Sequence, residues 1–250
     1  MKRIITVFAI ALVSGTASAQ DWTGFYIGGQ ANYSFGDSAS AVALGDNWNS
    51  ESAALRSGVT DLWSTGLEPS GWGVGIHAGY NHQLPSGLVL GAELGYSFND
   101  IEDSRATPQT VATSTLPGLT YAVGNSVEVE GTVTARTNIG WSFSNMLGYA
   151  VLGYSWADMT GGAEILSNGG YSKQGVESDW VGGFTYGLGG AIPVAERWTL
   201  RLEYLRTDFD DVQFATAYRA GSTFTSPVYS ETITQDLEVD TVQVGISYRF

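Results

Sequence analysis

The final eleven residues, DTVQVGISYRF, place an apolar side chain at every second position (Val242, Val244, Ile246, Tyr248 and Phe250) and end on phenylalanine. A period of two is a strand, and here its other face carries Thr241, Gln243, Gly245, Ser247 and Arg249. In a sandwich a second sheet would have to cover the apolar face. The pattern recurs along the chain, so one cover that serves every copy is lipid.

Eight segments carry this alternation, over residues 24–35, 71–84, 88–98, 127–141, 147–157, 179–192, 198–204 and 240–250. Most reach the roughly 9–11 residues that a tilted membrane strand requires. In the second, Trp72, Val74, Ile76, Ala78 and Tyr80 alternate with glycines, His77 and Asn81. In the fourth, Val127, Val129, Val133, Ala135, Ile139 and Trp141 oppose Glu128, Glu130, Thr132, Thr134, Arg136 and Asn138. Both faces of the fifth are fairly apolar, which leaves its orientation open.

The connections alternate in length. Short turns fall near Pro85, Asn145 and Ala195, and long connections cover about 36–70, 99–126, 158–178 and 210–236. Short periplasmic turns, long external loops and an even strand number characterise transmembrane barrels. The expected fold is all-β: an eight-stranded antiparallel up-and-down barrel with four long external loops. In that orientation Trp22, Tyr80, Trp141, Trp198, Tyr248 and Phe250 fall at the periplasmic rim, and Trp72, Trp156 and Trp180 at the outer rim. Interfacial belts favour such rings.

The other end of the chain sets the compartment. Lys2 and Arg3, an apolar run over 4–13 and Ala17-Ser18-Ala19 before Gln20 have the layout of a secretory signal peptide. Residues 1–19 are therefore expected to be the signal, with cleavage between Ala19 and Gln20, and 20–250 the barrel domain. Without Lys2 and Arg3 the formal charge of -14 becomes -16, which disfavours nucleic acid as a partner. With no cysteine, stability rests on backbone pairing and packing. The 33 glycines suit strands and turns better than helices.

Three stretches taken together, WTGFYIGGQANYSFG, GLGGAIPVAERWTLRLEYLRTDF and the ending VGISYRF, resemble the small outer-membrane β-barrel family of Gram-negative, especially alphaproteobacterial, surface proteins. This is the surface-antigen and porin-like type, similar to OmpA- and OmpX-like eight-stranded barrels. The resemblance implies residence in the cell outer membrane among lipid and lipopolysaccharide. It also implies that Phe250 is the signal read by the outer-membrane assembly machinery. In the family's common pattern the sixth strand carries an inward acidic residue where this chain has Ala191, so the lumen network is expected to differ.

Eight strands enclose an interior just wide enough for side chains to fill. Glu93 and Arg136 lie at similar heights on neighbouring strands, and Arg201 and Glu203 project inward from the seventh. Charges in so narrow a lumen must pair or carry a large desolvation penalty, so Glu93, Arg136, Arg201 and Glu203 are expected to form a plug. Gln243 and Arg249 should face the same lumen. Catalysis is not expected: His77 and His82 are the two histidines, and neither has an evident nucleophile and base beside it. No metal-binding spacing or cofactor motif appears. Asp46, Glu51, Asp61, Glu68, Asp208, Asp210 and Asp211 read as solvated acidic surface, with divalent bridging to lipopolysaccharide as the alternative. Trp48, Trp63, Tyr121, Tyr171 and Tyr218 are candidates for an adhesive loop surface.

The expected role is a monomeric, structural, surface-exposed envelope component with a filled lumen. The alternatives are a narrow porin-like channel for small solutes and an adhesin acting on a host through its external loops.

Overall fold

Eight long antiparallel strands hydrogen-bond into a closed ring in the computed structural model, which describes residues 21–250. They are β1 (Gly24–Asp46), β2 (Ser70–Gln83), β3 (Leu88–Ala106), β4 (Thr120–Phe143), β5 (Met146–Ser167), β6 (Ser172–Pro193), β7 (Trp198–Ala215) and β8 (Tyr229–Arg249). Each pairs with its neighbours in sequence, and β8 closes on β1 with Tyr248 opposite Ile27. Closure leaves no unpaired edge at membrane depth, the condition lipid imposes on a β structure. The signal-cleavage positions Ala19 and Gln20 lie outside the described residues.

The strand count rises above eight through three two-residue strands, Gly66–Leu67, Thr110–Val111 and Ala217–Tyr218, which pair onto the outer ends of the long ones. The long strands also exceed membrane length, reaching 24 residues in β4. Much of what reads in sequence as long connections is therefore strand. β5 and β6 meet in a tight turn over 168–171, so the third outer connection is short. The first, over 47–69, folds into a 3₁₀ turn (Asn47–Ser50) and an α-helix, α1 (Ala53–Trp63). The Ser52 hydroxyl caps that helix by accepting from the Leu55 backbone N–H at 3.2 Å.

The strands alternate as the pleat demands, and the periplasmic part of the barrel bears the lipid-facing belt. Ile27, Ile76, Leu94, Leu188 and Val244 are exposed there. Trp72, Trp156 and Trp180 bound it outside, and Trp141, Trp198 and Phe250 bound it on the periplasmic side. Trp22 departs from the expected rim: it is buried, closing the periplasmic mouth with its Nε1 donating to Ser142 Oγ at 3.1 Å. The ambiguity in β5 resolves with Leu147, Tyr149, Val151 and Ser155 inward, because the lumen near the periplasm is itself apolar around Trp22, Val89 and Ala191.

Above the aromatic belt the pleat inverts on two strands. Register shifts occur between Val129 and Gly131 on β4 and opposite Gln235–Leu237 on β7. A bulge adds one residue and exchanges the faces. Consequently Glu128 and Glu130, expected on the lumen face, point outward, whereas Val127 and Val129 point inward with Val212 and Phe214. Outside the membrane the barrel thus has an apolar interior and a polar exterior.

Leu94, 65% exposed near mid-belt, tests the lipid assignment. Leu94→Arg should destabilise the barrel by about 2–4 kcal/mol in bilayers, the cost of a cation at the midplane. Denaturant unfolding in vesicles measures it. An equal loss in detergent micelles, where the arginine reaches water, would count against lipid contact.

Candidate functional site

The lumen is filled in layers. At its centre β3 and β4 set Glu93 directly opposite Arg136, and β7 supplies Arg201 and Glu203 from across the barrel. Arg136 donates to Glu93 Oε1 from Nε at 2.9 Å and Nη2 at 2.6 Å, and to Glu203 Oε2 from Nη2 at 2.9 Å. Arg201 Nη1 lies 2.5 Å from Glu93 Oε2 and 3.9 Å from Glu203 Oε1. Two arginines and two glutamates sum to zero, all with side chains no more than 6% exposed. The remaining carboxylate lone pairs are also used: Tyr26 donates to Glu93 at 2.8 Å, and Tyr149 and Gln243 donate to Glu203 at 2.6 and 2.8 Å. Every carboxylate oxygen is thus bonded, which makes a buried ionic cluster tolerable, and Arg201 Nε is the one cluster donor left without a partner. Gly189 on β6 permits it sterically, since a Cβ there would fall 2.6 Å from the Tyr149 ring.

Beside this layer His77 bonds through Nδ1 with Gln30 at 3.0 Å and through Nε2 with Ser247 at 2.8 Å. His82 is exposed at the β2 end. Above lies a belt of hydroxyls and amides. Asn99 donates to Thr132 at 3.0 Å, and Ser155 bonds Thr185 at 2.7 Å, which in turn bonds Thr207 at 2.9 Å. It encloses a chamber of about 70 Å³.

An apolar cap covers the chamber. Ile101, Val127, Val129, Met159, Leu237 and Val239 from the walls meet Leu55, Val59 and Trp63 from α1. Those three sit at i, i+4 and i+8, one face of the helix. Gly58 lets α1 approach the second connection, because a Cβ there would overlap the Ala112 carbonyl.

The mouth holds a second buried charge pair. Lys173 Nζ lies 2.5 Å from Glu231 Oε2 and donates to the Tyr229 carbonyl at 2.7 Å. Glu231 also accepts from Trp48 Nε1 and Thr216 Oγ1, both at 2.5 Å, and from the Tyr171 hydroxyl. Over this pair Trp48, Leu55, Tyr121, Tyr171, Phe224, Tyr229 and Glu51 surround a cavity of about 190 Å³. Burial, with Glu51 and Glu231 nearby, pushes the Tyr121 hydroxyl up to about 12.

A closed ring of strands, a lipid-facing belt between two aromatic girdles and a polar, charge-compensated lumen agree with one comparison above all. Over residues 4–250 the chain matches the family model described as outer membrane protein beta-barrel domain. It belongs to that family. This outer-membrane barrel protein is 29% identical over 230 residues to the 31 kDa outer-membrane immunogenic protein of Brucella melitensis, covering 92% of this chain and 84% of the relative. Among solved structures it aligns with OprG of Pseudomonas aeruginosa at 11% identity, covering 91% of this chain and 96% of that one, with a TM-score of 0.43. With Ail of Yersinia pestis the values are 14%, 89%, 99% and 0.35.

Within the barrel, Glu93, Arg136, Arg201 and Glu203 meet as one cluster, joined by Gln243. Arg249 does not reach it, and instead donates to the Asp21 backbone carbonyl at the periplasmic mouth. Ala191, where the family pattern has an acid, pairs with Arg201 across the β6–β7 ladder and packs in the apolar layer by Trp22. The loop aromatics are not an exposed adhesive surface: Trp48, Trp63, Tyr121 and Tyr171 are buried, and Tyr218 is half-buried with its ring 5.7 Å from that of Tyr171. The Lys173–Glu231 pair was missed because both residues fall where the sequence reads as loop. Its one signal is that Lys173 is the sole lysine after Lys2. Phe250 is 72% exposed, with its N–H on the Phe25 carbonyl at 3.0 Å and its ring against Tyr248.

Proposed function

We propose that this barrel is closed to solutes and serves as a structural, surface-exposed component of the outer membrane. The observation that carries the reading is the neutral four-residue cluster spanning the lumen, with every carboxylate oxygen bonded. Conduction would require breaking ion pairs between side chains that are almost wholly buried, which costs several kcal/mol. The apolar cap around α1 adds a second seal in series. In this reading the protein acts as a monomer embedded in lipid and lipopolysaccharide, and the exposed Phe250 is the feature its assembly machinery reads.

The reading is also non-enzymatic. Ser247, His77 and Gln30 form a hydrogen-bonded chain, but an amide stands where a triad has a carboxylate, and the adjoining cavity is about 50 Å³. A liposome-swelling assay with small sugars tests closure. Purified barrel should leave swelling at the level of empty vesicles, and solute-size-dependent swelling would favour the channel alternative.

A further inference from the structure

We propose that the mouth of the barrel holds a binding site for a small organic cation of the quaternary-ammonium kind, formed by Trp48, Tyr121, Tyr171 and Tyr229 around the carboxylate of Glu51. The cavity they share, about 190 Å³, is below the roughly 300–1,000 Å³ of drug-sized sites, so it suits a head group of a few heavy atoms. Its floor is aromatic. Trp48 and Tyr229 have ring centroids 4.9 Å apart at 70°, and Tyr171 and Tyr229 are 5.9 Å apart at 87°. Edge-to-face packing sets these rings at large angles to one another, so the cavity is walled by aromatic surface, which attracts a diffuse positive charge with apolar substituents. Phe224 and Leu116, both partly exposed, mark the open side toward solvent.

Charge decides between a cation and a neutral apolar ligand. Glu51 lines the cavity, and its Oε1 accepts from the Tyr229 hydroxyl at 2.6 Å, which fixes the carboxylate. Among the described residues no lysine or arginine pairs with it, and none lines the cavity. Glu231 behind the rings is already neutralised by Lys173, so Glu51 carries the uncompensated charge. Half-buried at the edge of the aromatic box, the Glu51 carboxylate attracts a cation and not a neutral ligand, and a quaternary ammonium needs no hydrogen-bond acceptor beyond it. The site lies above both lumen seals, so it stands independently of the closed-lumen reading.

The test uses the full-length barrel refolded in octyl glucoside, which carries no cation, with choline chloride as probe and 3,3-dimethyl-1-butanol as its neutral isostere. Saturation-transfer NMR, at chloride held constant with sodium chloride, follows each titration. Choline should bind saturably in the millimolar range, at least ~10-fold tighter than the isostere. Glu51→Gln should bring choline down to the isostere's level. Equal binding of choline and isostere would overturn the proposal, as would absence of saturable choline binding by wild-type barrel that retains its unboiled gel mobility. That comparison needs no variant, so misfolding of Glu51→Gln does not shield the idea.

Discussion

Arg136→Ala should lower the unfolding free energy of the barrel by roughly 3–5 kcal/mol, the usual cost of stranding buried charge. The arginine is the shared donor between Glu93 and Glu203. Without it, Arg201 at 2.5 Å still compensates Glu93, but Glu203 keeps an arginine no nearer than 3.9 Å. Two carboxylates then face each other in a lumen with little room for water. Urea unfolding in phospholipid vesicles measures the loss. The double variant Arg136→Met/Glu203→Gln should cost less than Arg136→Ala alone, because it removes one charge of each sign and keeps an acceptor for Tyr149 and Gln243. Additive losses would mean that the four residues do not act as one cluster.

Trp63→Ala should release the first outer connection while leaving the membrane barrel intact. Trp63 is fully buried at the end of α1, and an eleven-residue helix is marginal alone, so α1 persists by burying Leu55, Val59 and Trp63. Truncating a buried tryptophan costs about 3–5 kcal/mol, more than such a cap can absorb. Limited proteolysis should cut within 47–63 at least ~100-fold faster than in the wild type, with gel mobility before and after boiling unchanged. Unchanged cleavage would show that the cap is held by something other than this core.

What could be read beforehand follows where lipid imposes a rule. Within the belt, outward positions must be apolar, so inward positions such as Glu93, Arg136, Arg201 and Glu203 stand out by parity alone. Their heights follow from counting to the short turns, and the ladder sets Glu93 opposite Arg136. Outside the belt water replaces lipid, and the same alternation acquires the opposite meaning. Val127 and Val129 continue the apolar series of β4 in sequence, yet the bulge before Gly131 turns them inward. A bulge leaves no mark in a hydrophobic pattern beyond one extra residue. The cap was illegible for the same reason. Trp48 and Trp63 make sense only when α1 folds back over the lumen, a long-range contact that no local period encodes. Lys173 and Glu231 are 58 residues apart and meet because β6 and β8 extend beyond the membrane.

Single-channel recording in planar bilayers tests whether side chains seal this lumen. Purified monomer should give a silent baseline, and Trp63→Ala should stay silent because the charged layer lies below the cap. Large, stable and reproducible openings from the wild-type monomer would contradict the account.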